Sequence, residues 1–438
     1  MSQENFRGFL NKVTSKVKSK EAHSMIKNEL SNHINQLSES FQKSNLTKEE
    51  AEEKAIREMG NPYTLGENLN RIHKPKMDWL LIGLFIVIAS ISFLPIINGV
   101  PELPNSGNHF LNQKIIGYFL SILIIGTFLF FDYRKIKNYW IGFYGIGLIL
   151  FIYTSLFGLI SLSAKNWVSL FGITIDVGTA TLFFFFLAWA GIFSRINAFN
   201  TWIKKMLLSF LFWTPILFYI MIPNLGVMMI YFFCIVMLFA FSKAQKKLAI
   251  QLVILNLVVF ILIFSLYFST FLGTERMNRL TAFMNPNADP FDSGYIYLKL
   301  QDIFSRAGWF GNGLDRVPPL PSAHTDFAFP FLVYTFGWAF GIVLCITLLT
   351  FILRISMNTF KTKDQYGRLL VIGGATLFTV PTLWNILMGL GMLPITGVSI
   401  PFISYGNTTL VVYSAILGLI LSIYRRKDLV EPTVPNLR

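Results

Sequence analysis

Asp326 is the residue of this chain best placed to take up a proton. It closes the run Ser322-Ala323-His324-Thr325-Asp326-Phe327, just where a long apolar segment begins. A carboxylate at such an edge is partly desolvated, which moves its pKa upward toward that of a useful general base. The same position suits a helix N-cap, because Thr or Asp ahead of an apolar helix satisfies free backbone N–H groups. Position does not separate the two roles, and one residue can fill both. Upstream, Arg276 and Arg279 lie three residues apart, so a helix sets them on one face. A guanidinium fork bonds two phosphate oxygens at once, so the pair suits a lipid pyrophosphate at the mouth of a membrane helix. Snorkelling toward lipid headgroups is the competing use.

Two further segments carry polar groups. Gly391 to Gly406 is apolar yet rich in Pro and Gly. Irregular backbone of this kind cannot face lipid and must pack in protein or line a cavity. Ser404 and Tyr405 end that segment, and Asn385 in the preceding apolar run lies near the same cavity by this logic. In Ser163-Ala164-Lys165-Asn166-Trp167-Val168, Trp167 beside a basic residue reads first as a membrane-interface anchor.

These residues need a scaffold, and composition names its kind. Of 438 residues, 53% are hydrophobic, 16% aromatic and 14% charged, as expected of a polytopic all-α membrane protein. Apolar runs near 78–98, 113–131, 139–161, 178–194, 206–222, 226–241, 248–270, 327–353, 369–390 and 407–424 predict about ten membrane helices. Lys and Arg cluster in alternate loops, which places those loops and both termini in the cytoplasm. The net charge of +14 therefore follows topology and does not point to nucleic acid. The opposite loops are poor in Lys and Arg, except 271–326. That stretch reads as a large extracytoplasmic loop, and six acids gather in it after none from Val177 to Thr274. Cys234 and Cys345 sit in apolar runs and suggest buried thiols rather than a disulfide.

Residues 1–76 read as a cytoplasmic module of three short helices. Ile26, Leu30, Ile34, Leu37 and Phe41 form an apolar stripe, and Thr47 with Glu50 makes a capping box. A helix then stops at Gly60, and Thr64 with Glu67 suggests a second box. His23, His33 and His73 lack the acid and cysteine spacing of a metal site. The tail from 428 to 438 stays cytoplasmic.

Taken in order, these segments resemble the SEDS family of shape, elongation, division and sporulation proteins, which includes FtsW, RodA and SpoVE. The resemblance spans roughly residues 77–425. It rests on the Arg–Phe–Asn–Pro stretch at 276–286, Asp289-Pro290 with Gly294-Tyr295, Gly311-Asn312-Gly313-Leu314, His324 to Phe327, and Leu393-Pro394 through Gly406. It implies an inverting peptidoglycan glycosyltransferase that polymerises lipid II at the outer face of the plasma membrane. The family's essential loop aspartate falls on Asp326. Arg276 and Arg279 would hold pyrophosphate, and Trp167 matches the family's outward-loop tryptophan. His324, Thr325, Asn385, Ser404 and Tyr405 are carried as substrate-binding candidates. A class B penicillin-binding protein is the implied partner. Whether a divalent cation such as Mg or Mn sits near Asp289 or Asp292 stays open.

The chain also departs from the family. No acid pair follows Phe327, where Val333-Tyr334-Thr335-Phe336-Gly337 stands. A Gln-Pro-Ser-Glu-like motif is here Asp176-Val177-Gly178-Thr179, and Pro-Asp-Leu-Gly is Pro223-Asn224-Leu225-Gly226. A lipid II flippase and a non-catalytic scaffold regulating wall synthesis are the alternatives. Residues 1–76 resemble small HAAS-like domains of Gram-positive membrane proteins, which implies docking of a cytoplasmic regulator.

Overall fold

The computed structural model describes residues 2–44, 46–97, 107–161, 164–170, 173–222, 224–271, 281–314, 316 and 320–427. The chain divides into two units, one of Met1–Asp78 with the segment from Ile423, the other Trp79–Ser422.

The first unit holds four N-terminal helices, α1 (Ser2–Ser15), α2 (Lys20–Gln42), α3 (Lys48–Glu58) and α4 (Pro62–Ile72). The three-helix expectation omitted α1. Its Phe9, Leu10 and Val13 nevertheless join Ala22, Ile26, Ile34 and Ala55 in the buried core. The Thr47–Glu50 capping box forms as read. The second box does not: Asn61 caps α4, accepting from Tyr63 N at 2.9 Å. Pro62 at the first helical position is what shifts the start back to Asn61.

The same unit contains a bidentate ion pair across the length of the chain. Arg426 donates from Nε to Glu21 Oε2 at 2.7 Å and from its terminal nitrogen to Oε1 at 2.8 Å. The arginine side chain is 1% exposed and the glutamate 40%. Removing one partner of a fully buried pair costs about 3–5 kcal/mol. Half-exposed Glu21 lowers that, so Arg426→Ala should destabilise the module by roughly 1–3 kcal/mol. Limited proteolysis within residues 1–78 is the check: cleavage no faster than in the parent protein would refute it.

Among its described residues the second unit is helical apart from one small sheet. Its helices are α5 (Trp79–Ile91), α6 (Gly107–Phe130), α7 (Trp140–Phe157), α8 (Val177–Phe193), α9 (Trp202–Met221), α10 (Leu225–Ala240), α11 (Lys246–Phe271), α12 (Tyr295–Arg306), α13 (Ala328–Lys361), α14 (Gln365–Gly389) and α15 (Asn407–Arg425). Eight spans among the described residues are long and apolar enough to cross a membrane, and α8 and α10 are shorter apolar helices. The ten expected segments fall on these ten helices. α8 packs on both α7 and α10, while α14 packs on α10 and α13. Phe185, Ala188, Leu377 and Ile355 are buried there.

Two details were not anticipated. After α7, three short antiparallel strands follow in order: β1 (Leu159–Ser161), β2 (Ala164–Leu170) and β3 (Ile173–Asp176). The expected span to residue 161 therefore ends at Phe157, and β-branched residues such as Val168 and Ile175 pair across the ladder. The other detail is a break inside α13 at Gly337 (φ 87°, ψ 171°). Such a break frees backbone groups that lipid cannot satisfy. The loop at 308–313 takes them up. Asn312 N donates to Tyr334 O (3.0 Å), Gly313 N to Thr335 O (3.0 Å), Trp338 N to Gly308 O (3.0 Å) and Ala339 N to Trp309 O (3.2 Å). Asn312 Nδ2 adds a bond to Tyr334 O at 3.1 Å. The polar loop that leads to Asp326 is thus stitched into a broken membrane helix.

Candidate active site

The turn before α13 fixes Asp326. Ser322 adopts a left-handed conformation (φ 55°) that a serine reaches only at some cost. Its carbonyl then accepts from Thr325 N (3.0 Å), Phe327 N (3.1 Å) and Thr325 Oγ1 (3.3 Å). Phe327 occupies the N-cap position of α13, and no side chain caps the helix there. The capping role open to Asp326 is therefore not taken, which leaves its carboxyl for other work. Burial raises that carboxyl to about 6.

A second segment closes over this turn. Asn385, fully buried in α14, donates from Nδ2 to Asp326 O at 2.7 Å and to Val398 O at 2.5 Å. One side chain thus ties the aspartate's backbone to the 391–406 segment, while its Oδ1 has no hydrogen-bond partner among the described residues. Gly397, at φ 67°, lies close enough that an added Cβ would stand 3.6 Å from Asp326 Oδ2. Tyr405 N donates to His324 O at 2.8 Å. The rings of His324, Tyr405 and Phe110 pack together, with centroids 5.2–5.9 Å apart. Burial also raises the Tyr405 phenol. Ser404 Oγ accepts from Ile400 N at 2.9 Å, an internal bond that shapes the loop.

The 391–406 segment is packed in protein, with Val398, Ile400, Phe402 and Ile403 buried. A clamp that sequence reading missed holds it. Buried Lys114 on α6 donates to Ser92 O and to Ile403 O, the latter at 3.0 Å. Tyr118, one turn on, donates to Phe402 O at 2.6 Å and contacts Ser92 Oγ at 2.8 Å. Phe402 itself has φ 65°. Lys114 falls in the first turn of the expected span 113–131, where a lysine reads as a flank. A lysine and a tyrosine four apart at a helix start were the available signal.

Trp167 stands apart from this group. It is 39% exposed and pairs in register with Asp176 across β2 and β3. Asp176 N donates to Thr408 Oγ1 at 3.1 Å, three residues past Tyr405. The Asp176 carboxyl caps α8, accepting from Gly178 N at 3.1 Å and Thr179 Oγ1 at 2.5 Å, and burial raises it. The structure therefore brings His324, Thr325, Asp326, Asn385, Ser404 and Tyr405 together and reaches Trp167 through Asp176 and Thr408. Arg276 and Arg279 lie outside the described residues. Asp289 Oδ2 accepts from Ser293 Oγ at 2.9 Å. Among the described residues no three His, Cys, Asp or Glu side chains stand together for an ion.

A partly buried carboxyl in a rigid turn, beside the packed 391–406 segment, can take a proton from a hydroxyl brought to it. Comparison with known proteins places the chain in a family. Residues 75–429 match the family model of the FtsW, RodA and SpoVE cell cycle proteins. A relative named "Probable peptidoglycan glycosyltransferase FtsW" from Aliivibrio salmonicida (strain LFI1238) is 28% identical over 366 residues, covering 80% of this chain and 88% of its own. One of the same name from Geobacter sp. (strain M18) is 32% identical over 197 residues, 44% of this chain and 52% of its own. Among solved structures, a chain of a peptidoglycan synthase complex that coordinates polymerization and crosslinking superposes with a TM-score of 0.67 at 20% identity, covering 80% and 98% of the two chains. Rod shape determining protein RodA of Thermus thermophilus gives 0.57 at 19% identity, covering 80% and 97%.

Proposed function

The chain belongs to the FtsW/RodA/SpoVE family, and from that premise we propose that it is an inverting peptidoglycan glycosyltransferase that polymerises lipid II. The reaction takes place at the outer face of the plasma membrane, with both termini in the cytoplasm. Asp326 removes the proton from the acceptor sugar hydroxyl as its oxygen bonds to the anomeric carbon of the donor. The bond from that carbon to the polyprenyl pyrophosphate breaks, and the polyprenyl pyrophosphate leaves with the electron pair. Arg276 and Arg279 hold the leaving group. His324, Thr325, Ser404, Tyr405 and Trp167 line the path of the sugars, and Asn385 positions Asp326 rather than touching substrate. A class B penicillin-binding protein crosslinks the product. Residues 1–76 form a HAAS-like docking module for a cytoplasmic regulator, as found in Gram-positive bacteria.

The observation that carries this reading is the Asp326 carboxyl: partly buried, raised to about 6, and not engaged in capping the helix it precedes. Purified protein in lipid vesicles, given lipid II, should yield glycan polymer on a gel. Translocation of lipid II without polymer would favour the transport reading instead.

The base must be ionised to act, so a raised pKa sets the sign of the pH dependence. The initial polymerisation rate should rise about tenfold per unit below pH 6 and level off above it. A flat rate from pH 5 to 8 would remove Asp326 as the base.

A further inference from the structure

We propose that the cleft among α8, α9, α10 and α11, together with the basic pocket at its foot, binds an anionic diacyl phospholipid of the cytoplasmic leaflet, the leaflet being set by the orientation proposed above. The cleft is a cavity of about 380 Å³, walled by apolar side chains including Trp189, Phe212, Trp213, Ile235 and Phe260. That volume is in the range of a ligand pocket. α11 lines one side of it, and few residues of Lys246–Ser265 are buried, so this side of the cleft faces the surroundings of the helix bundle. Phe193 lines this cavity and also a second one of about 340 Å³. The two therefore meet at that ring.

The second cavity is polar and basic. Arg195, Asn197, Lys243 and Gln365 line it. Asn197 builds its floor, donating from Nδ2 to Lys243 O at 3.0 Å and accepting from Gln245 N at 3.0 Å. Lys204 Nζ bonds Ala198 O at 3.0 Å and brings a third cation to the same turn. Among the described residues no acid lines the pocket. Asp364, next in sequence to Gln365, is occupied in capping α14 through Gly367 N at 2.7 Å. Gln365 gives its amide to Phe241 O at 3.2 Å, and its Oε1 is buried with no partner among the described residues.

Apolar lining, charge and hydrogen bonding then specify the occupant. An apolar slot opening to lipid takes acyl chains. Arg and Lys at its foot take a phosphate, the guanidinium by two parallel bonds. The unmatched acceptor of Gln365 takes a hydroxyl, as a glycerol headgroup offers. The site is not the sugar site: it lies at the Phe193 end of α8, about 25 Å of helix from Asp176.

Trp189 and Trp213 make the site readable, because bromine on an acyl chain quenches a nearby indole. Full-length protein is placed in phosphatidylcholine vesicles containing either brominated phosphatidylglycerol or brominated phosphatidylcholine. Quenching should be at least twofold stronger with brominated phosphatidylglycerol. Trp213→Phe should remove much of that difference, and the double variant Arg195→Gln, Lys243→Gln should abolish it. Equal quenching by the two lipids, or a preference untouched by the double variant, would overturn the site. The same preparations are assayed for polymer from lipid II. A lipid preference without polymer would refute the polymerase reading and leave the site standing; polymer without the preference would do the reverse. Asp326→Asn should keep the preference in full.

Discussion

Asp326→Asn should reduce polymer formation from lipid II to background, a loss of at least about 10²–10⁴-fold, the usual contribution of a positioned base. The amide keeps the size of the side chain and cannot accept the proton. Asn385 bonds the backbone of residue 326, not its side chain, so the turn should keep its shape. The substitution should also make the protein more stable at neutral pH. The carboxyl has a folded-state value of about 6, above the ordinary 3.8. It therefore favours the folded state only while protonated. As pH rises from near 4 through 6, ionisation of a half-desolvated group costs stability, and the amide escapes that cost. The gain should be on the order of 1–3 kcal/mol at pH 7.5 and vanish near pH 4. Dead enzyme with a raised melting temperature separates lost chemistry from lost folding. Normal polymer yield from the variant would end the catalytic assignment. A lowered melting temperature at pH 7.5 would end the account of its environment.

Gly337→Ala should be among the most damaging single changes in the membrane unit. Its φ of 87° with ψ of 171° is a region that side chains essentially never adopt. An added Cβ would also stand 2.2 Å from Trp309 O. Gly311 mirrors this, with its Cβ 2.2 Å from Thr335 O. Strain and collision together should cost roughly 3–5 kcal/mol, since neither neighbour is a side chain that can swing away. Gly308 is the control. Its φ of 62° is also left-handed, but nothing lies within 4 Å of its Cβ position. Gly308→Ala should cost only about 1 kcal/mol. Thermal melts of the purified variants decide it. Similar melting temperatures for the two variants would mean that the loop at 308–313 does not seat in the helix break.

The helices were legible because lipid demands long unbroken apolar runs, and their ends carry charge. The β1–β3 sheet was not, since Leu159–Asp176 is short and mixes polar with apolar residues. α1 carried a readable stripe in Phe6, Phe9, Leu10 and Val13, but its polar surroundings and place at the chain start hid it. Asp326 and Tyr405 could be found because irregular polar backbone beside a membrane helix is rare. Their mutual arrangement could not, because it depends on contacts such as Lys114 to Ile403, 289 residues apart. The clamp needs a buried cation that donates to two backbone carbonyls, and a single sequence does not say which carbonyls will be near.

The pairing of Glu21 with Arg426 joins residues 405 apart. At ordinary translation speeds the glutamate leaves the ribosome roughly 20–80 s before its arginine exists. Throughout that interval the first-made helices lack their last fastener, and any chain released early never acquires it. A copy that reaches residue 426 thus differs from every shorter one in the number of contacts that hold its first-made helices.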